Sequence, residues 1–276
     1  MTGATRHYRL TTGGLPAEAV VALLAELDFD AFEEGEHHVD AYLPEARHGG
    51  AFAKTVEALA AAYGLTATTA VLPEENWNAR WEAGFAPAEV GDFLRVRAPF
   101  HAPAPGFAIE LEVVPEMSFG TGHHETTHLM AELLRERPPA GASVFDFGTG
   151  TGILALVAAR LGARRIVATD HDARCVRSAR ANAERNGVTL DYIGHGDVDV
   201  MPDETFGLIL ANIQRGVLVR AMPALAKRLG RGGELWLSGV LAGDLAPVDE
   251  AAAARGLTRV ERRRRGRWLA CRYRAA

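Results

Sequence analysis

Cysteine is nearly absent from this 276-residue chain: Cys175 and Cys271 are its two thiols, too few for a disulfide framework or a cysteine-rich zinc site. Lysine is scarcer than its charge suggests, since 28 of the 30 basic residues are arginine and Lys54 and Lys227 are the exceptions. Long apolar runs are missing as well. None is longer than that at residues 153–159, far short of the roughly 20 residues that span a bilayer, and the first residues lack the apolar core of a secretory signal. Neither a Gly-x-Ser-x-Gly elbow nor a Walker lysine motif occurs, so the usual sequence marks of an α/β-hydrolase and of a P-loop enzyme are not there. What is present is 48% hydrophobic and 24% charged residues, enough apolar side chain for a folded core and too much for a disordered chain. The expectation is a cytoplasmic enzyme or binding protein.

Charge is unevenly spread. Residues 1–73 carry ten acids and four bases, whereas residues 255–276 carry nine arginines and one acid. An acidic front suits a basic partner, and a basic tail suits RNA, another anion or plain solvent. The tail falls mostly on an expected final hairpin, which favours a folded, solvated edge over a nucleic-acid arm.

The pattern of apolar residues divides the chain in three. Residues 1–73 read as strand, helix, strand, strand, helix, strand, with strands near 8–12, 29–33, 38–43 and 65–72 and helices near 16–27 and 52–63. This β-α-β-β-α-β order is the ferredoxin-like α+β pattern. Residues 74–112 read as a linker and connecting segment, with a short helix at 76–85 carrying Trp77 and Trp81, a proline-rich loop at 98–106 and, at its end, a strand-like alternation at 109–113. Residues 113–276 alternate strand and helix and end in a hairpin. That alternation predicts an α/β, doubly wound, mostly parallel seven-stranded sheet with helices on both faces.

The third part carries the chemistry. Asp146 is followed by Gly148, Gly150 and Gly152 at the junction of an expected strand and helix. Glycines there let the chain turn sharply and approach a ligand closely. Asp170 ends the next strand 22 residues after Gly148, where an acid can accept from both ribose hydroxyls of a nucleotide. A dinucleotide would place its pyrophosphate on the helix N-terminus, and Asp146 beside the loop would repel it. A carboxylate tolerates a cationic sulfonium and an amino group much better, and the choice lies between a dinucleotide and S-adenosyl-L-methionine. Asp197, after the third strand, either reaches the adenine amino group or is an exposed loop acid.

The Asp-x-Gly-x-Gly-x-Gly loop resembles the first motif of class I methyltransferases. Together with residues 76–85, the segment 115–127 (PEMSFGTGHHETT) and Ala211-Asn212-Ile213, it closely resembles the PrmA family, the ribosomal protein L11 methyltransferases. The resemblance covers residues 75–276 well and the front domain in pattern. It implies cofactor contacts from Thr127, Gly148, Asp170 and Asn212, with Phe119 in a segment folded over the methionine end. Asp146, Gly150 and Asp197 complete the expected cofactor set. It further implies a front domain that grips a basic protein substrate, ribosomal protein L11, and methyl transfer to lysine or N-terminal amines. Asn212 is the expected orienting group, and the residues name no general base. Two departures stand out. Thr149 occupies a loop position that is usually cysteine, and Ala211-Asn212-Ile213 continues as Gln214-Arg215-Gly216.

Three other readings remain open at this level. One is methylation of a different protein lysine or a small amine. A second is a non-catalytic RNA-binding protein. The third rests on His124-Glu125-Thr126-Thr127-His128, which matches the zinc-hydrolase pattern His-Glu-x-x-His; no third ligand follows it, and no metal is expected. Neither membrane nor nucleic-acid binding is expected.

Overall fold

The computed structural model describes residues 4–72, 85–115, 122–200 and 203–275. They belong to two units, residues 1–85 and 86–276. None of the described helices is long and apolar enough to cross a membrane.

The first unit has the element order read from its sequence: β1 (Thr5–Thr11), α1 (Ala17–Leu24), β2 (Ala31–Glu34), β3 (His38–Pro44), α2 (Gly50–Ala62) and β4 (Thr66–Leu72). The strands form an antiparallel sheet in the order β2-β3-β1-β4, the ferredoxin-like arrangement. Alternation builds the core. Tyr8 and Leu10 of β1 and Val39, Ala41 and Leu43 of β3 turn inward against Val20 and Leu24 of α1 and Val56 and Ala60 of α2. The first helix ends three residues before the expected Leu27, because the amides of Leu27 and Phe29 close turns onto the carbonyls of Leu24 and Leu27. The described arginines of this unit are consumed internally: Arg6 pairs with Glu45, Arg9 with Asp40, and Arg47 with Asp28 and Asp30. Glu18, Glu26, Glu34 and Glu57 are left exposed without a cation partner among the described residues.

The second unit opens with a small sheet where the residue pattern predicts a connecting segment with a single strand at 109–113. The expected helix at 76–85 falls almost wholly outside the described residues. From residue 88 onward the chain forms β5 (Ala88–Val90), β6 (Leu94–Arg97) and β7 (Ile109–Glu112), a sheet in the order β5-β6-β7. Leu94, Val96, Ile109 and Leu111 are buried in one core with Leu129 and Met130. The prolines that suggested a loop lie between β6 and β7, where no ladder hydrogen bond is asked of them.

The main sheet has seven strands among the described residues, in the order β10-β9-β8-β11-β12-β14-β13. They are β8 (Ser143–Phe147), β9 (Arg165–Asp170), β10 (Tyr192–His195), β11 (Phe206–Asn212), β12 (Leu229–Leu241), β13 (Leu257–Arg265) and β14 (Trp268–Ala275). The first five are parallel, and β14 returns antiparallel to both β12 and β13. Helices α3 (Glu125–Glu136), α4 (Ile153–Arg160), α5 (Ala173–Arg185), α6 (Arg215–Lys227) and α7 (Ala246–Ala253) accompany it. Both faces are covered. Leu208 and Leu210 of β11 face one apolar cluster with α3 and α4, while Ile209 and Ala211 face another with α6 and α7. A strand buried on both faces reads as a continuous apolar run, as residues 206–211 do. Strand order reverses between β8 and β11, and in such sheets the crevice at the carboxyl ends of the strands is where ligands sit.

The arginine-rich tail is structural in part. Arg272 of β14 is buried and pairs with Glu234 and Glu261. Arg263 of β13 bridges Glu136 and Glu261, and Arg259 pairs with Asp249.

Candidate active site

A cleft of about 840 Å³ opens at that reversal, within the size range of small-ligand sites. Thr127, Asp146, Gly148, Gly150, Asp170, Asp197 and Asn212 all line it. Phe119, the remaining residue expected there, lies outside the described residues.

Each side chain owes its place to the end of an element. β8 delivers Asp146, and the chain then leaves the sheet through Gly148, Gly150 and Gly152, all with positive φ (72°, 56° and 87°). At Gly148 the need for glycine is also steric. A Cβ there would come within 2.4 Å of Ile213 Cγ2, so the loop after β8 and the loop after β11 pack with no room for a side chain. β9 ends at Asp170, whose Oδ2 accepts from the Gly150 amide at 2.9 Å and whose Oδ1 accepts from the Asp172 amide at 2.9 Å. The acid therefore shapes the loop and keeps lone pairs on both oxygens.

Asp146 is buried, and burial pushes its carboxyl up to about 6. The Thr149 hydroxyl, donating to Asp146 Oδ2 at 2.6 Å, and the Ala155 amide work against that shift, while the charge of Asp170 adds to it. Thr149 thus supplies a hydroxyl donor to the buried carboxylate. The folded carboxyl holds its proton more tightly than the unfolded one, which titrates near 3.8. Its contribution to stability is therefore full below the unfolded value and is lost as pH rises toward about 6. A cation bound in the cleft reverses the preference, because it favours the carboxylate. Cofactor affinity is accordingly expected to fall about tenfold for each unit of pH below about 6, and Asp146→Asn to flatten the profile; calorimetric titration between pH 5 and 8 checks this.

Asn212 ends β11. Its Oδ1 is buried and accepts no hydrogen bond from the described residues. A buried acceptor without a donor costs stability, so this oxygen is poised for a donor that arrives with a ligand. Gly239 of β12 packs against the next residue so closely that a Cβ would lie 2.3 Å from the Ile213 carbonyl oxygen, which fixes the backbone carrying Asn212.

The His-Glu-x-x-His segment does not present two histidines on one helix. His124 is the N-cap of α3, its Nδ1 accepting from the Thr126 amide at 3.3 Å, and His128 lies inside the helix. The His124 ring instead stands edge-on to Trp268, with centroids 4.8 Å apart, and both rings line the cleft. In sequence, Trp268 reads as part of the final hairpin and carries no sign of a site. It reaches the cleft because β14 begins at that residue, beside β12.

The family model described as ribosomal protein L11 methyltransferase (PrmA) matches residues 18–276. The chain belongs to the ribosomal protein L11 methyltransferase family. A family protein of Porphyromonas gingivalis is 40% identical over 259 residues, 91% of this chain and 88% of that one. One from Bacteroides fragilis is 33% identical over 260 residues, 93% of each. Among solved structures, the ribosomal protein L11 methylase of Lactobacillus delbrueckii subsp. bulgaricus has a TM-score of 0.64 and 26% identity, covering 70% of this chain and 99% of that one. A methyltransferase from Pyrococcus furiosus shares the fold, with a TM-score of 0.52 at 18% identity, covering 59% of this chain and 88% of that one. The ribosomal protein L11 methyltransferase fold is thus that of a class I methyltransferase, and its cofactor is S-adenosyl-L-methionine. The residues present fit that molecule. The glycine loop leaves a cradle without side chains, Asp170 offers paired oxygens, Asp146 favours a cation over a pyrophosphate, and Asn212 Oδ1 awaits a donor.

Proposed function

We propose that this protein transfers methyl groups from S-adenosyl-L-methionine to amine nitrogens of ribosomal protein L11, at lysine side chains, the N-terminal amine, or both. The observation that carries this reading is the buried, partnerless Asn212 Oδ1 in the cleft that also holds the glycine loop and Asp170. In this reading the expected site residues divide the work. Thr127, Gly148, Gly150, Asp170 and Asp197 hold the cofactor, and Asp146 neutralises its cationic end.

When bound, S-adenosyl-L-methionine supplies a methyl group on a good leaving group. The protein's work is then to align the acceptor for in-line attack. A free lysine amine has a pKa near 10.4 and must shed a proton first, which removal from water favours. Asn212 Oδ1 accepts one N–H of the neutral amine, so that the nitrogen lone pair is held in one direction. His124 and Trp268 supply an aromatic wall beside it, limiting water.

The front unit suits the substrate. Its exposed, unpaired Glu18, Glu26, Glu34 and Glu57 leave an acidic surface, and ribosomal proteins are generally basic, so attraction speeds encounter. Acting on a ribosomal protein, the enzyme would work in the cytoplasm. Intact-mass measurement of purified ribosomal protein L11 after incubation with enzyme and cofactor tests the proposal. Gains in steps of one methyl are expected, mapping to amines. Methylation of another protein, or of a free amine in preference to L11, would replace the substrate while leaving the reaction.

A further inference from the structure

Helix α5 carries two asparagines one turn apart, Asn182 and Asn186, and neither lines the cleft. Asn182 has no accessible surface. Its Nδ2 donates to the Thr151 carbonyl at 2.9 Å, and its Oδ1 accepts from the Val114 amide at 3.2 Å. Asn186 grips the same strand extension without touching the loop: its Oδ1 accepts from the Glu112 amide at 2.8 Å, and its Nδ2 donates to the Glu112 carbonyl at 2.7 Å. The first asparagine therefore joins the cofactor loop to the chain leaving β7, and the second fastens that chain alone.

The peptide between Thr151 and Gly152 is a weak point of the loop. Gly150 precedes it and Gly152 follows it, both at positive φ, so glycine freedom on either side gives the loop alternative conformations at little steric cost. The Gly152 amide is held by the Thr149 carbonyl at 2.9 Å. The opposite end of the same peptide is held by Asn182, which keeps the Thr151 carbonyl turned toward α5. Released, that carbonyl could turn toward the cleft and set a negative dipole where the loop must present its amides. Close packing reinforces the tether: a Cβ on Gly152 would lie 3.3 Å from Ala179 Cα, on the same helix.

We propose that Asn182 is a positioning residue for cofactor binding, fixing the glycine loop at a set distance from the chain at Val114 through the Thr151 carbonyl. It acts through the loop and touches no reacting atom. The proposal rests on the cleft being the S-adenosyl-L-methionine site.

The test compares three variants with the wild type in calorimetric titration with S-adenosyl-L-methionine and in steady-state kinetics. Asn182→Ala is expected to weaken cofactor affinity and raise its KM about tenfold, the size of one lost buried hydrogen bond, with kcat at saturating cofactor within about twofold. Asn182→Asp keeps an acceptor for the Val114 amide and near-identical size but, when ionised, has no donor for Thr151; at pH 8 it is expected to match the alanine variant, and it serves in its place should that fail to fold. Asn186→Ala removes a buried asparagine from the same helix and the same strand contact, and is expected to lower the melting temperature while leaving the cofactor KM unchanged. Wild-type affinity in both Asn182 variants, or an equal rise in KM for Asn186→Ala, overturns the proposal. Failure of the wild type itself to bind the cofactor would instead overturn the reading of the cleft.

Discussion

Replacing Asn212 with alanine is expected to lower turnover about 100-fold, a loss typical of a misaligned reacting group, with cofactor affinity almost unchanged. The reason lies in the position of one atom. Asn212 Oδ1 is buried at the carboxyl end of β11 with no donor among the described residues, and its backbone is pinned where Ile213 packs against Gly148 and Gly239. An acceptor amine that donates to this oxygen is held with its lone pair in one direction. Without it, the amine samples many orientations in a cleft of about 840 Å³, and few of them lead to attack. Asn212→Asp separates orientation from charge. The oxygen remains, but a carboxylate stabilises the ammonium form of the acceptor, so activity is expected to return only at higher pH. Single-turnover rates across pH 7–10, paired with cofactor titrations, make the measurement. A parallel loss of affinity and rate would move Asn212 from acceptor to cofactor.

The second large effect belongs to Asp170→Ala, and it runs the other way. Cofactor affinity is expected to fall about 100-fold, close to 3 kcal/mol, with kcat recovered at saturation. Charge-assisted hydrogen bonds to a carboxylate are worth more than neutral ones, and this carboxylate also organises its surroundings. It accepts from the Gly150 and Asp172 amides, so the alanine variant removes the nucleotide's partner and leaves two loop amides without theirs. Titration with S-adenosyl-L-methionine and the cofactor dependence of the rate check the split. An unchanged KM would mean that Asp170 shapes the loop without touching the cofactor.

Much of this was legible in the residues. Alternating apolar positions gave both helices and all four strands of the first unit, and glycine punctuation with a terminal acid marked the ends of β8 and β9. These signals are local: each needs only a few consecutive residues to be read. Of the small sheet, β7 is marked by the alternation at 109–113, whereas β5 and β6 are hidden because they are only three and four residues long and joined by three residues. Trp268 was hidden because it meets the cleft through pairing with a strand some thirty residues earlier. The His124–His128 pattern is ambiguous in sequence for a related reason, since a motif written for a helix face is cut here by the helix boundary itself. Asn182 and Asn186 carried no signal, as asparagine within an amphipathic helix looks like a surface residue until its partners are known.

The outermost strand of the main sheet has a consequence for how molecules of this protein behave toward one another. β13 closes the sheet at one margin, and a margin of unpaired backbone groups is a template on which another chain can align. Here that template reads Arg262, Arg263, Arg264 and Arg265 in succession, interrupted upstream by a register shift between Arg259 and Glu261. Two copies brought margin to margin would set these guanidinium groups against their counterparts across one strand spacing. Arg263 is already neutralised by Glu136 and Glu261, but the exposed Arg262, Arg264 and Arg265 oppose such pairing, most strongly at low salt, where repulsion between exposed charges is least screened.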